Sequence, residues 1–347
     1  MVSQSSCGSV AKRLHDVIRE HISAPKKIII EGTGFGDCLR ISAVTIPNEL
    51  TEWIVMNIDH KLREFRVCNK SIVFTRDMVK KVFNVPSGVR PVELLKRGHS
   101  KLCKIYSVAG RAPIARAIEI LKSAPDEDDI IVSRTFVLLA LATVLCPSTR
   151  DTLILEYLAS LTNMADVQEF AWDEHILETV MDKVGKFQEK RRLKSQQDMS
   201  FDNFWIGSCF PMLAIIYMDH LDFPPPHPGD YNINYSLPRA CFVSTIDFNF
   251  VVSVDANMFV SNKKVFGKKT PVVQPPVPIK APSATGQGDV IAVVAAPSPF
   301  HIADVGSSQA VAHDVGQAQH HASQVTSENE TNQDVVLQTP TSLDDLL

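Results

Sequence analysis

The residues that come nearest to a binding motif are three glycines in a short run. Residues 32–36 read Gly-Thr-Gly-Phe-Gly and follow the apolar residues 28–30. A glycine-rich turn can hold a phosphate, but that motif needs GxGxxG spacing or a following Gly-Lys-Ser/Thr, and neither occurs here. Residues 37–41 read as a further extended piece, not as the helix that would receive a phosphate. We therefore expect a flexible turn and no bound cofactor.

Two acidic segments could be considered as metal ligands. Residues 126–129 are four consecutive acids, which cannot all face one ion, and acids before a helix are favoured by the helix dipole. Residues 173–175 (Asp-Glu-His) lie in a predicted helix, where their side chains spread over roughly 200° of the circumference and lack HExxH spacing. Four histidines of the C-terminal region show no organised spacing: His301, His313, His320 and His321. The sequence therefore predicts no catalytic, cofactor-binding or metal-binding residues.

Two basic clusters are the strongest candidates for a binding surface. One ends a long predicted helix and the other precedes a change of composition, and their residues are Lys190, Arg191, Arg192 and Lys194, and Lys263, Lys264, Lys268 and Lys269. One interpretation is a nuclear-import signal or a surface that contacts phosphates without sequence preference. The other is a helix end that complements its own dipole, followed by a solubilising linker.

The charge of the chain is unevenly distributed. The whole sequence has 35 basic and 39 acidic residues, a net charge of -4. From Ala281 onward there are eight acids and no Lys or Arg, which leaves 35 basic against 31 acidic residues in the rest. An excess of four positive charges is small for a dedicated nucleic-acid-binding protein, so any such binding is expected to be weak and non-specific. Beyond Thr270 the composition is typical of a disordered segment.

Cysteine usage and apolar runs favour a protein of a reducing compartment without membrane spans. The seven cysteines are scattered and form no CxxC pair. The apolar runs at residues 136–146 and 204–217 are shorter than the roughly 20 residues that a membrane-spanning helix needs. Both runs are interpreted as buried helices.

The apolar spacing predicts a mainly helical body with one small β-hairpin. Apolar residues recur on one helical face from Leu50 to Ile58. Residues 62–74 alternate as two strands, with residues 69–71 as the turn. Thr75 is a suitable N-cap for the next helix, which Pro86 and Gly88 would end.

Longer helices are predicted downstream at residues 130–146, 167–195 and 203–221, the last with a kink at Pro211. Residues 236–268 are expected to add a final strand or short helix around residues 248–252. We therefore predict a flexible N-terminal lead over residues 1–25, one mainly α domain over 26–255, and a basic linker with a disordered acidic tail over 256–347.

Several segments together carry a resemblance to a known family. Residues 34–36 (Gly-Phe-Gly), 46–53 and 79–88 occur in the order found in the plant mobile domain, a family often labelled aminotransferase-like. Five further segments resemble a grass-expanded branch of that family: 136–147, 171–175, 205–209, 214–219 and 238–241. The resemblance covers residues 31–268. It implies a helical domain that occurs in transposable elements and in nuclear proteins linked to silencing and genome maintenance.

The same resemblance raises two enzymatic hypotheses, and the sequence favours neither. Aminotransferase chemistry needs a Schiff-base lysine and a phosphate cup on a large α/β fold, and the strand–helix alternation of that fold is missing. Related sequences are sometimes fused to a ubiquitin-like-protease (SUMO-protease) domain, but Cys209 follows Gly207–Ser208 instead of the Asp expected before that nucleophile.

We therefore expect a non-catalytic, transposon-derived protein that acts through unknown protein partners in the nucleus, with the cytoplasm as the alternative location. Two other hypotheses are the N-terminal part of a SUMO-protease-like polyprotein and a weak DNA-binding protein.

Overall fold

The computed structural model describes residues 22–41, 43–67, 70–96, 101–148, 150–196, 209–223, 231–256, 258–260 and 263–268. All of these belong to the first of two compact units, Met1–Ala284, whereas the second unit, Thr285–Leu347, lies outside the described residues. The disordered tail, the C-terminal histidines and most of the flexible lead predicted from the sequence also fall outside them.

The first helix of this part of the chain, α1, precedes the glycine segment. It spans Ala24–Ile30, begins at the N-cap Ser23 and has Pro25 in its first turn. A π-helical turn, Glu31–Phe35, and a 3-10 turn, Gly36–Leu39, continue from it. The prediction of an extended piece after the glycines is therefore wrong, because Gly34 takes a positive φ of 80° and turns the chain into another helical turn.

The predicted hairpin is confirmed and belongs to a three-stranded antiparallel sheet, but the predicted turn at residues 69–71 is wrong, because Lys70 and Ser71 already pair in the second strand. Helix α2 spans Asn48–Met56, and the strands are β1 (Ile58–Asp59), β2 (Glu64–Val67) and β3 (Lys70–Val73). Phe65 of β2 lies opposite both Ile58 and Ile72. Ile58 was predicted on the helical face but pairs as a strand, because α2 ends at Asn57.

Helix α3 spans Arg76–Phe83 and confirms the predicted N-cap, since the Thr75 side chain accepts a hydrogen bond from the Met78 N–H. It ends at Asn84, which adopts the left-handed conformation. A short helix, α4 (Cys103–Tyr106), and helix α5 (Ile114–Ser123) follow.

Helix α6 is the buried centre of the body. It spans Asp129–Ala140, continues as a π-helical turn at Leu141–Leu145, and buries every side chain from Val132 to Ala140. Two of the acidic residues before α6 accept hydrogen bonds that stabilise the fold. Asp128 caps the helix by accepting from the Ile131 N–H at 3.0 Å, and Asp126 accepts from the Ser23 hydroxyl at 2.9 Å.

Two 3-10 turns, Leu155–Ala159 and Met164–Glu169, lead into the long helix α7, Trp172–Gln196. This helix confirms the predicted long helix, but the predicted start at residue 167 is wrong, because Val167 lies in the second 3-10 turn. Helix α8 spans Phe210–Asp219. The predicted kink at Pro211 is wrong, because this proline lies in the first turn of α8, where its missing N–H breaks no hydrogen bond.

The packed body continues past the predicted domain end at residue 255. Helix α9 (Thr245–Asp255) has a capping box between Ser244 and Asp247, and strands β4 (Met258–Val260) and β5 (Lys263–Val265) pair antiparallel after it. Phe266 is only 3% exposed. Residues 258–266, which the sequence assigned to a linker, therefore extend the fold.

An aromatic cluster joins these last elements to the sheet. The rings of Trp53, Phe65, Tyr217 and Phe266 lie within 5.2 to 5.7 Å of one another in contacting pairs. The buried Asp255 carboxylate accepts from the Tyr217 hydroxyl at 2.6 Å and from the Gly267 N–H at 3.0 Å. None of the helices in the described part of the chain is long and apolar enough to cross a membrane.

Candidate functional site

The glycine segment is a packed contact between distant parts of the chain. A Cβ atom on Gly34 would lie 2.9 Å from Cγ of Pro86 and 3.4 Å from Cγ of Gln168. The Gln168 side chain also donates to the carbonyl of Gly32 at 2.7 Å. The prediction of a flexible turn is therefore wrong. Because these glycines have no side chain, the segments around Gly34, Pro86 and Gln168 can pack closely together.

The segment around Gly88 runs beside the residues before α7. Gly88 N–H donates to the Phe170 carbonyl at 3.1 Å, and the Arg90 N–H donates to the Glu169 carbonyl at 2.9 Å. A Cβ atom on Gly88 would lie 2.0 Å from the Glu169 carbonyl oxygen. Only glycine fits this position without movement of one of the two backbones.

Trp172 fills the space between these segments. Its indole is fully buried, contacts the Phe35 ring edge-on at a centroid distance of 5.6 Å, and donates to the Val167 carbonyl at 2.8 Å. Residues 34–36, 86–88 and 171–173 thus meet in one place.

An ion pair between the buried carboxylate of Asp173 and the partly exposed guanidinium of Arg76 lies at this meeting point. Asp173 has 0% exposure, and its two carboxylate oxygens accept from Nε and Nη2 of Arg76, each at 3.0 Å. The Ser87 hydroxyl donates to the same carboxylate at 2.5 Å, and Arg76 also donates to the Gly88 carbonyl at 3.0 Å. We call Arg76, Ser87 and Asp173 the buried clamp. The carboxylate holds the pKa of Arg76 above its usual value.

The buried clamp does not have the geometry of a catalytic base. The Asp173 carboxylate also accepts from the Glu174 N–H at 2.9 Å, so four donors surround it and burial separates it from solvent. A carboxylate held in this way orients its partners and is not available to a substrate proton.

A second polar cluster, one turn along α7, contains a thiol, a phenol and an imidazole. The Tyr157 hydroxyl lies 3.0 Å from Nε2 of His175, and the Tyr157 and Thr179 hydroxyls favour a lower pKa of the nearby Cys146 thiol, an effect that its burial outweighs. Burial raises the pKa of the Cys146 thiol to about 11 and lowers the pKa of His175. A nucleophilic cysteine needs a depressed thiol pKa, so this cluster is a packed network at neutral pH.

The three residues Asp173, Glu174 and His175 point in different directions, as their places on a helix predict. Asp173 faces Arg76, His175 faces Tyr157, and Glu174 accepts from the Arg63 guanidinium at 2.6 Å. Among the described residues, no group of three or more His, Cys, Asp or Glu side chains could hold a metal ion.

A cleft of about 520 Å³ lies beside the glycine segment. It is lined by residues of both charge signs and of small size: Lys27, Glu31, Gly34, Gly36, Asp37, Leu39, Arg40 and Asn84. Asp37 pairs with Arg40 and accepts from the Asn84 amide, so its charge is used within the protein. The carboxylates of Glu31 and Asp37 balance the cations Lys27 and Arg40 in the lining. The cleft therefore has no excess positive charge that would favour an anionic ligand.

The two predicted basic clusters lie away from the buried clamp and both contact α2. Arg191 pairs with Glu52, and Nζ of Lys264 lies 3.5 Å from Oε2 of Glu49. Arg192 pairs with Glu189 within α7 at 2.8 Å. Lys190 and Lys268 are exposed. Of the remaining residues, Lys194 and Lys263 have described backbones only, and Lys269 lies outside the described residues.

Sequence reasoning missed the partners that make these clusters. Arg76 follows the N-cap Thr75 and reads as an ordinary residue at a helix start, and Cys146 reads as one member of an apolar run. Nothing local indicates that a carboxylate 97 residues away binds Arg76. The signal that the sequence offers is the place of Asp173, three residues before Ile176 and so on the apolar face of the predicted helix.

Alanine substitution at the glycines should separate packing from flexibility. We expect Gly88→Ala to lower the free energy of unfolding by about 2 kcal/mol or more, because its Cβ would overlap the Glu169 carbonyl. Gly34→Ala should also destabilise, since its φ is positive. Gly32→Ala is the matched control, because its Cβ would meet no atom within 4 Å, and it should be neutral or slightly stabilising. Equal effects of all three in urea denaturation would contradict the packed contact.

The burial of His175 predicts a pH dependence of stability. Its pKa is lowered from the ordinary value of 6.5, so the unfolded chain takes up the proton first as the pH falls below that value. The stabilising contribution is therefore present above about pH 6.5 and is lost as the pH falls toward the folded-state pKa. Wild type should lose more free energy of unfolding between pH 7 and pH 5 than His175→Asn does.

The other described histidines, His60 and His220, are present in both proteins and cancel in the comparison of the two. Urea denaturation at the two pH values measures the difference. Parallel losses in wild type and His175→Asn would show that His175 titrates alike in the folded and unfolded states.

Comparison with known proteins identifies one family. Residues 7–200, more than half of the 347 residues, match the family described as Domain of unknown function (DUF8566). None of the curated proteins and none of the solved structures compared with the chain matches it. The matched range contains the buried clamp, the glycine contacts and the Cys146 network. The chain therefore belongs to the family Domain of unknown function (DUF8566).

Proposed function

We propose that this protein is a non-catalytic interaction module that binds a protein partner through residues 85–96, which we call the exposed loop. The observation that carries this proposal is the side chain of Val89, which is 92% exposed on a backbone held by hydrogen bonds on both sides. A fixed apolar group in solvent is a binding feature that costs little entropy to order in a complex.

The exposed loop is anchored along its length. At the start of the exposed loop, the Ser87 hydroxyl donates to Asp173 and Arg76 donates to the Gly88 carbonyl. Further on, the Glu93 N–H donates to the Ser160 hydroxyl at 2.7 Å, and the Leu95 N–H donates to the Glu156 carbonyl at 2.8 Å. Leu94, 48% exposed, is a second apolar side chain on this fixed backbone.

The charges around the exposed loop indicate the chemistry of the partner. Arg90 is the one cation shared by Glu93, Asp166 and Glu169, at N···O distances of 3.8, 3.7 and 3.1 Å. Counted with the exposed Lys96 at the end of the exposed loop, three carboxylates against two cations leave a small negative excess around Arg90. The surface therefore suits a protein segment that carries basic and apolar side chains together.

A non-catalytic role is supported by the hydrogen bonds and the burial of the ionisable groups inside the body. The Asp173 carboxylate is committed to Arg76 and Ser87. Burial raises the pKa of the Cys38 thiol to about 12 and that of Cys146 to about 11, so neither is a thiolate at neutral pH.

The setting of the interaction is proposed from the resemblance of the sequence to the plant mobile domain. Proteins of that type include nuclear proteins linked to silencing and genome maintenance, and the family occurs in transposable elements. We therefore propose a transposon-derived protein that acts in the nucleus.

Affinity capture from plant nuclear extract with the full chain tests the proposal. We expect a discrete set of proteins with wild type and at least a tenfold loss of that set with Val89→Asp/Leu94→Asp, because burying a carboxylate in the interface is unfavourable. Ile130→Asp/Ile246→Asp is the matched control, since these side chains are 56% and 62% exposed elsewhere on the body. The proposal fails if wild type recovers only bead background, or if the loop variant and the control recover the same set.

A further inference from the structure

We infer that Cys38 and Cys241 form a reversible disulfide under oxidising conditions, which ties the turn after the glycine segment to the turn before α9. Cys38 lies in the 3-10 turn Gly36–Leu39, and Cys241 ends a second 3-10 turn, Arg239–Cys241. Both thiols are free in the structure. This redox switch is independent of the exposed loop and of the partner proposed for it.

The two cysteines are brought together by a direct contact between their turns. The Cys241 thiol donates a hydrogen bond to the Asp37 carbonyl, with an S···O distance of 3.5 Å. The Asp37 carbonyl oxygen and Cα of Cys38 share one peptide plane, in which they are about 2.8 Å apart. The sulfur of Cys241 therefore lies no more than about 6.3 Å from Cα of Cys38. Across a disulfide this distance is about 4 Å, so a side-chain rotation can close the remaining gap.

The electrostatic effect of one thiol on the other agrees with this proximity. Burial, and after it the negative charge of an ionised Cys241, raise the pKa of the Cys38 thiol to about 12. A charge has such an effect only on a group that lies close to it in the fold. The contact between the turns and the coupling of the thiols therefore identify the same pair.

Ion pairs fix the backbones that carry the two cysteines. On one side, Asp37 pairs with Arg40 within the turn that contains Cys38. On the other side, the buried guanidinium of Arg239 pairs with Asp219 at 2.8 Å and holds the turn that ends at Cys241. A cross-link between two turns that already lie in contact needs little movement of either backbone.

Exposure decides which thiol meets the oxidant first. Cys241 is partly exposed, whereas Cys38 is 0% exposed. With hydrogen peroxide as the two-electron oxidant, the Cys241 sulfur attacks one peroxide oxygen and the O–O bond breaks. The departing hydroxide takes the thiol proton as water, and Cys241 becomes a sulfenic acid.

The disulfide forms in a second step. The Cys38 sulfur attacks the Cys241 sulfur, the S–O bond breaks, and the departing hydroxide takes the Cys38 proton as a second water. In total, the two thiols lose two electrons and the peroxide gains them. Because burial raises the pKa of both thiols, the reaction is slow at neutral pH and responds to sustained oxidation.

The disulfide stabilises the body by closing a long loop. It joins a residue near the start of the described chain to one close before α9, so it strongly restricts the unfolded chain. In the folded protein it also fixes the turn whose residues Asp37 and Arg40 line the cleft beside the glycine segment.

Treatment of the full chain with excess hydrogen peroxide, followed by alkylation of the remaining thiols and non-reducing peptide mapping, tests the inference. We expect a peptide pair linked through Cys38 and Cys241 that separates after treatment with dithiothreitol. Oxidation should raise the urea midpoint of wild type by at least about 0.5 M. Cys241→Ser should abolish the link and this shift. Cys103→Ser is the matched control at another partly exposed cysteine and should keep both.

Four results would overturn the inference. They are full alkylation of both cysteines after oxidation, a link from either one to a different cysteine, further oxidation of Cys241 without a link to Cys38, and a link that leaves the urea midpoint unchanged. The peptide map of wild type needs no variant, so it remains decisive if Cys241→Ser lowers the stability of the fold.

Discussion

A carboxylate that is buried away from water needs hydrogen-bond donors, and the buried carboxylate that joins α3 to α7 is Asp173. Its partners come from the first turn of α3, from the segment after α3, and from its own helix α7. Loss of a donor would leave a buried charge unsatisfied, which is among the most costly defects in a folded protein. The buried clamp therefore fixes how α3 and α7 meet and where the exposed loop begins.

The glycine and aromatic contacts depend on the same arrangement. Gly88 packs on the Glu169 backbone directly after Ser87, whose hydroxyl donates to Asp173. Gly34 in turn packs on Pro86, and Phe35 packs on Trp172 next to Asp173. Residues that the sequence presents as motifs are thus parts of one packed junction. The polar groups that could suggest chemistry are used to build it, and binding is proposed for a surface outside it.

Local patterns predicted the elements whose determinants are local. The N-cap at Thr75, the alternation around Phe65 and the long apolar stripe of α7 each depend on neighbours within a few residues, and the structure confirms them. Pro211 was misplaced because its effect depends on where the helix begins, which the sequence left open. Ile58 suits helix and strand equally, and its pairing with Phe65 decided the outcome. Phe266 was assigned to a linker because a short strand pair before it carries little periodic signal.

The candidate surfaces were harder to predict because they are made by contacts between distant residues. The basic residues were visible as two clusters, but their common contact with α2 required the positions of Glu49 and Glu52. The exposed loop gave no sequence signal, since Val89 differs from a core valine only in its surroundings. Membership of the family concerns the body of the fold, whereas the proposed function is assigned to side chains on its surface.

The most direct test of this account is a double-mutant cycle across the buried clamp, measured as free energies of unfolding for Arg76→Met, Asp173→Asn and the double variant. Arg76→Met leaves a fully buried carboxylate without its cation and should cost about 3 kcal/mol. The double variant should cost clearly less than the sum of the two single variants, with a coupling energy of about 2 kcal/mol or more. Costs below about 1 kcal/mol that simply add, as exposed ion pairs give, would contradict the central role of Asp173.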